Sequence, residues 1–188
     1  MKPLLVVLDL DETLIYATTA KLPREPDFQV FHYFVYKRPY VDDFLKNCAT
    51  HFQLAVWSSA SDDYVQEIAA NLFPPEIPLQ FVWGRSKCLS KYAVKDVEDF
   101  FYIGDHKEYI KPLKKVWKLG YAKERIIVVD DTPSKSKLNY GNAIYPSEFV
   151  GQKVDDELPR LFAYLLKMKE VENVRTIEKR GWRSEVSA

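Results

Sequence analysis

The chain is poor in the residues that announce special chemistry or a special environment. Its two cysteines, Cys48 and Cys88, are too few and too far apart for a disulfide framework or a CxxC motif. They read as reduced thiols. Three histidines, His32, His51 and His106, show no metal-ligand spacing and read as structural or surface residues. Neither sign of charge dominates: Lys+Arg and Asp+Glu both number 27, so the basic field of a nucleic-acid binder is missing. Long apolar runs are missing too. The run Leu4–Leu8 meets Asp9 after five residues, too early for a secretory signal, and nothing approaches the roughly 18 apolar residues of a membrane helix. No repeat, low-complexity tract or interdomain linker is visible. What remains, 47% hydrophobic and 29% charged residues, is the balance of one globular domain with a sizeable core. It is expected to be soluble and cytoplasmic, or nuclear in a eukaryote, with neither nucleic acid nor membrane as partner.

The chain is organised around Leu4 to Leu14, Leu-Leu-Val-Val-Leu-Asp-Leu-Asp-Glu-Thr-Leu. Five consecutive apolar residues predict a strand buried on both faces, as in a parallel sheet. Asp9 and Asp11 follow at its C-terminal end, on the same side of an extended segment. Two like charges crowded there need a cation or a proton to offset them; the plainer reading is a strand ending in a turn.

Further along, 17–27 carries Pro23 and Pro26 and reads as a loop, and Phe28–Tyr36 reads as an aromatic strand in a small hairpin or sheet extension. Pro39 leads into a helix with Tyr40, Val41, Phe44, Leu45 and Cys48 inside. Gln53–Trp57 is a second core strand, ending in Ser58-Ser59-Ala60-Ser61, and Tyr64, Val65, Ile68, Ala69 and Leu72 mark the apolar face of the next helix. Leu79–Trp83 is a third strand, and 85–109 a surface excursion. Pro112 opens a helix with Leu113, Val116, Trp117 and Leu119 inside, closed by Gly120. Arg125–Val129 is a fourth strand, ending in Asp130-Asp131, and Asn142–Tyr145 a fifth. Asp155–Lys169 is a helix with the stripe Leu158, Leu161, Phe162 and Leu165, followed by a charged tail.

Alternating strands and helices predict an α/β fold, a Rossmann-like parallel sheet of about five core strands flanked by helices. It carries a small β insertion (about 17–37), a surface insertion (about 84–110) and no large cap domain. The domain is expected over 1–170, with 171–188 as the tail. Open sheets of this kind bind ligands beyond the carboxyl ends of their strands. Three such ends here carry polar groups: Asp9/Asp11, Ser58/Ser59 and Asp130/Asp131. Lys111 stands just before a helix start on the same edge.

An Asp-x-Asp-x-Thr at the first strand, a Ser at the second, a Lys at a helix start and a later Asp-Asp resemble the haloacid dehalogenase superfamily. The branch they resemble is the FCP/SCP-like (NLI-interacting-factor-like) phosphatases. Supporting stretches are Asp-Leu-Asp-Glu-Thr-Leu (9–14), Lys-Arg-Pro-Tyr-Val-Asp-Asp-Phe-Leu (37–45), Trp-Ser-Ser-Ala (57–60), Tyr-Ile-Lys-Pro-Leu (109–113), Val-Val-Asp-Asp-Thr-Pro (128–133) and Asn142-Ala143-Ile144. The resemblance covers nearly the whole chain. It implies an Mg²⁺-dependent phosphomonoester hydrolase acting on phosphoserine or phosphothreonine in proteins, with Asp9 as the nucleophile that becomes a phosphoaspartate. Asp11 is then the general acid/base, lending its backbone carbonyl to Mg²⁺; Asp9, Asp11 and Asp130 form the metal set, with Asp131 supporting it through water. Ser58, Ser59, Lys111 and Arg85 are the implied phosphate-binding residues.

The chemistry needs such residues. A carboxylate attacking a phosphate dianion meets about 4 kcal/mol of repulsion per charge pair at 4 Å and an effective dielectric of 20, so positive charge must already be in place. Taken singly, Ser58 reads equally well as a helix cap, and Lys111 reads better as a solvated lysine until the Tyr-Ile-Lys-Pro-Leu match reverses this. Lys95, in Ala-Val-Lys-Asp-Val, competes with Lys111, which is preferred because it directly precedes the helix feeding the Asp130 strand. Asp130-Asp131 departs from the Asp-Asn common in the family, and Ser58 from its Thr. Two other readings stay open: a phosphatase for small metabolites, and a non-catalytic binding module like the family's import-receptor branch, which lacks the catalytic Asp. A response-regulator receiver fits less well: its phosphoacceptor ends a middle strand with the Lys following late in the chain, whereas Lys111 precedes the last Asp pair here.

Overall fold

In a computed structural model, which describes residues 2–97 and 100–186 and only the backbone of 91–106, the core is a five-stranded sheet of uniformly parallel strands. Its strands are β1 (Leu5–Leu8), β5 (Gln53–Trp57), β6 (Leu79–Trp83), β9 (Ile126–Val129) and β10 (Ala143–Ile144), in the order β10-β9-β1-β5-β6. The apolar runs are strands because both faces of the sheet are covered. Val6, Leu8, Leu54, Val56, Ile127 and Val129 pack into one core. The alternate residues Leu5, Val7, Ala55, Trp57, Ile126 and Val128 pack into a second on the other face. A run of five apolar residues is therefore two interleaved half-patterns of period two.

Helices α1 (Val41–His51), α2 (Asp62–Leu72) and α4 (Glu157–Lys169) supply buried side chains to the first core. α3 (Lys114–Trp117) is a single turn that brings Val116 to the second, beside Leu113. Each position expected on the apolar face of α2 is buried. Among the other expected core residues, Trp117 and Phe162 are half-buried and two are exposed. Tyr40 is exposed because α1 begins only at Val41, and Tyr40 itself turns in the left-handed region (φ 66°). Leu119 is exposed because α3 ends at Trp117, before the turn at Gly120 (φ 95°).

Two excursions leave the main sheet. The stretch expected as a single strand over Phe28–Tyr36 is two strands, β3 (Phe28–Val30) and β4 (Tyr33–Lys37), joined by a tight turn at Phe31-His32 with Phe31 at φ 52°. With β2 (Ile15–Thr18) they form an antiparallel sheet in the order β2-β4-β3, so the loop expected from residue 17 in fact starts after Thr18. The region 84–110 holds an antiparallel hairpin, β7 (Leu89–Val97) and β8 (Phe100–Ile110). Neither excursion is a large cap.

The tail packs into the domain. Val174, Trp182 and Val186 lie in the first core, and Trp182 Nε1 donates to the Tyr145 carbonyl at 3.2 Å. Lys179, also buried, donates to the carbonyls of Gly141, Val174 and Ile177. Among the described residues no helix is long and apolar enough to cross a membrane.

Candidate active site

β1 is the central strand. The chain leaves it for β5 and β6 on one side and returns to β9 and β10 on the other, so a topological switch point lies between β1 and β9. Leu8 pairs in register with Val129 and with Val56. The residues that follow, Asp9, Asp130 and, one step further, Ser58, thus emerge side by side at one edge. Their backbones continue the ladder: Asp9 N–H donates to Val129 O (2.9 Å), Asp130 N–H to Ile144 O (3.2 Å) and Ser58 N–H to Trp83 O (2.9 Å).

Lys111 lies between the two aspartates. Its Nζ donates to Asp9 Oδ1 at 2.8 Å and Asp130 Oδ2 at 2.6 Å, and all three side chains are buried. Its backbone is fixed as well: Lys111 N–H donates to Lys135 O (2.8 Å), and Asn139 Nδ2 donates to Lys111 O (2.7 Å). Burial alone pushes Asp9 up, but Lys111 and Lys135 outweigh it and hold Asp9 below the usual carboxylate range. Asp130 goes the other way, raised by burial and by the charge of Asp9. Burial works against the Lys111 ammonium, but Asp130 and Asp9 raise it nonetheless.

Asp11 sits apart from this cluster. Leu10 O accepts N–H groups from Thr13, Leu14 and Ile15, closing a tight turn in which Glu12 takes φ 56°. The Asp11 Oδ1 accepts from the Tyr64 hydroxyl at 2.6 Å. Burial lifts Asp11 to about 6, against the pull of that hydrogen bond and with help from Asp9. Thr13 ties the turn to the β9 strand end: its hydroxyl donates to Asp131 Oδ1 and accepts Asp131 N–H, both at 3.1 Å.

Oxygens of Asp9, Asp130 and Asp131 lie within 4.8 Å of one another. An all-oxygen set on a tight spacing suits a hard divalent cation such as Mg²⁺. The Asp11 carboxylate is not in this group, so of the expected metal set Asp9 and Asp130 come together here and Asp131 joins them.

Ser58 is buried, and its Oγ accepts Ala60 N–H (3.1 Å), a local turn that leaves its own proton to donate elsewhere. Ser59 offers its carbonyl to Arg85 Nε (2.9 Å). Arg85 is exposed and lies 4.9 Å over the Tyr109 ring. With Asp11, Phe31, His32, Tyr33 and Tyr64 it lines a cavity of about 410 Å³. Lys95 lies on β7 where side chains are outside the described residues.

Two site residues escaped the sequence reading. Lys135 Nζ reaches Asp9 Oδ2 at 3.3 Å and Asp130 Oδ1 at 3.8 Å. Its signal was Thr132-Pro133, a start for the 3₁₀ turn that brings it back over the strand end. The apolar stripe of α2 places Tyr64 in the core, where its ring does lie.

The family model for NLI interacting factor-like phosphatases matches residues 4–175. The chain belongs to that family. Among its relatives, the Saccharomyces cerevisiae nuclear envelope morphology protein 1 is 24% identical over 188 residues, covering 92% of this chain and 40% of its own length. The human carboxy-terminal domain RNA polymerase II polypeptide A small phosphatase 1 is 25% identical over 181 residues, covering 92% of this chain and 62% of its own. The chain thus spans less than two thirds of either. The solved structure of Fcp1, an essential RNA polymerase II CTD phosphatase, shares the fold, with a TM-score of 0.57 at 15% identity over 93% of this chain and 52% of that one.

Proposed function

We propose that this family member is an Mg²⁺-dependent phosphomonoester hydrolase that works through a phosphoaspartate on Asp9 and acts on phosphoserine or phosphothreonine in proteins. The observation that carries the reading is the pairing at the switch point: a buried, anionic Asp9 held by Lys111, with Asp130 and Asp131 within ligand spacing. Asp9, Asp130 and Asp131 would hold the cation, with the Asp11 backbone carbonyl beside them. When bound, it supplies positive charge to the phosphoryl oxygens, which the two lysines alone do not balance.

Asp9 attacks phosphorus and the bond to the leaving alcohol breaks. Asp11, raised to about 6 and therefore able to carry a proton near neutrality, gives it to the leaving oxygen. Water then attacks the phosphorus, Asp11 takes back a proton, and the Asp9–phosphate bond breaks to free inorganic phosphate. Lys111 keeps Asp9 anionic and aimed. Ser58 donates its hydroxyl to the phosphoryl group, and Arg85 and Ser59 stand at the rim.

The cavity beside Asp11 supports a peptide substrate. It is lined by aromatic side chains and Arg85, and it adjoins the reacting centre without a large cap above it. Enzymes for small phosphometabolites usually need a lid to exclude water. A screen of phosphopeptides against sugar phosphates, with Mg²⁺ and with EDTA, tests the reading. Phosphoserine peptides should turn over with Mg²⁺, stop in EDTA and resume on adding Mg²⁺. Full turnover in metal-free buffer overturns the cation, and sugar phosphates ranking first in kcat/KM overturn the protein substrate.

A further inference from the structure

Asp9 and Asp130 present four carboxylate oxygens at the strand ends. Lys111 takes one from each, Asp9 Oδ1 and Asp130 Oδ2, from a position with no solvent exposure. The other two, Asp9 Oδ2 and Asp130 Oδ1, face the Lys135 ammonium at 3.3 and 3.8 Å. A cation held by these two aspartates is best received by the oxygens that Lys111 leaves free, and those are the oxygens that face Lys135. Two positive centres cannot share them at such distances.

The two lysines differ in their freedom to move. Lys111 is sealed in. Lys135 keeps 18% of its side chain exposed, while its backbone is anchored at both ends: its N–H donates to Thr132 O (3.1 Å) and its carbonyl accepts from Lys111 N–H (2.8 Å). Its four-carbon stem can swing the ammonium out without moving the loop. Charge favours a resident here, because Asp9, Asp130 and Asp131 all act on Lys135.

We propose that Lys135 and the divalent cation occupy the same place in turn, so that Lys135 is a built-in competitor that sets how tightly the site holds its metal. This rests on the reading of the site as a cation site. Lys135 keeps the acidic cluster compensated when no cation is held, and every binding event has to displace it.

Titration calorimetry of the whole chain with MgCl₂ and MnCl₂, without substrate, tests this. Lys135→Met and Lys135→Gln should each bind the cation about tenfold more tightly or better. Lys137→Met, which removes the same charge from a surface pair with Glu108 at 2.8 Å, should stay within about twofold of the parent. The glutamine variant answers the question should the methionine variant not fold. Mass-spectrometric amine labelling of the parent gives a second readout: Lys135 should label faster when Mg²⁺ is added, with Lys111 protected throughout. Equal or weaker binding by both Lys135 variants, or Lys135 labelling that ignores Mg²⁺, overturns the competition and leaves the cation site standing. No binding by any variant, together with turnover in EDTA, overturns the cation site and the competition with it.

Discussion

Two buried cations meet the segment that follows β1, Lys111 at Asp9 and Arg38 at the Thr13 carbonyl, and they are built on different principles. Arg38 meets one carboxylate as a fork, Nε and Nη2 each 2.9 Å from the two oxygens of Asp155. Its remaining donors go to Thr13 O, Ser147 O and Ser147 Oγ. One charge meets one charge, and each guanidinium nitrogen has a partner. Lys111 instead stands between two carboxylates, with Asp11, Glu12 and Asp131 close behind and Lys135 beside it. Glu12 records the imbalance: burial, then Asp11 and Asp131, lift it to about 7. A balanced, saturated ion pair has nothing left to bind with and is structural. An unbalanced one with oxygens to spare is where a cation and a phosphate can be received. Thr13 links the two, giving its carbonyl to Arg38 and its hydroxyl to Asp131.

The sharpest break in this comparison is Asp9→Asn. It removes the proposed nucleophile while keeping the shape and one acceptor for Lys111, so activity on p-nitrophenyl phosphate should fall at least about 10⁴-fold. The thermal unfolding midpoint should move far less than in the next variant. Arg38→Met should do the reverse. Breaking a buried pair from one side strands Asp155, at a cost of about 3–5 kcal/mol in urea unfolding. Below its midpoint the folded protein should keep kcat within a few fold of the parent. If Asp9→Asn unfolds as readily as Arg38→Met, the distinction between the two centres is gone.

Acid should attack the structural centre next. Burial pushes Asp155 up, but the hydrogen bonds from Arg38 outweigh it and hold the carboxyl below its ordinary value. Its folded pKa is thus lower than its unfolded one. The linked stability is present above about pH 4 and is lost as pH falls through the folded value. Urea midpoints from about pH 6 to 3 should show this loss in the parent and a flatter curve in Asp155→Asn. Equal slopes would mean that the pair contributes no linkage.

Most of the sheet and much of the site could be read from residues alone, for one physical reason. A strand buried on both faces is a short apolar run, and whatever polar residue ends it at the carboxyl edge stands at the ligand site. Asp9, Ser58 and Asp130 were legible on that ground, and Lys111 through the family resemblance of Tyr-Ile-Lys-Pro-Leu. Periodicity also located α2, because a helix resting on a sheet shows its stripe. It failed where an element was shorter than its pattern: Leu119 continues the apolar spacing of α3, but the helix stops at Trp117. Lys135 was hidden because its place depends on a turn rather than on a strand end. The tail looked like loose charge, yet Trp182 and Val174 are core.

Tyr64 was hidden differently, and it provides the finest test of the functional centre. Its ring satisfies the apolar face of α2 and meets Tyr33 edge-on at 5.6 Å, so the stripe accounts for its burial and says nothing of its hydroxyl. That hydroxyl is the partner of Asp11 at 2.6 Å. Tyr64→Phe keeps the ring and removes the bond, at a cost to stability of about 1 kcal/mol. Without its guide, Asp11 should protonate a poor leaving group less well, lowering kcat on a phosphoserine peptide about tenfold. An aryl phosphate, whose leaving group needs little protonation, should lose less. The pH profile gives an independent sign. The bond favours the charged carboxylate, so it holds Asp11 below where burial would carry it, at about 6. Removing it should move the Asp11 limb of kcat/KM to higher pH. A variant equal to its parent on both substrates, with the limb unmoved, would return Tyr64 to the structural side of the comparison.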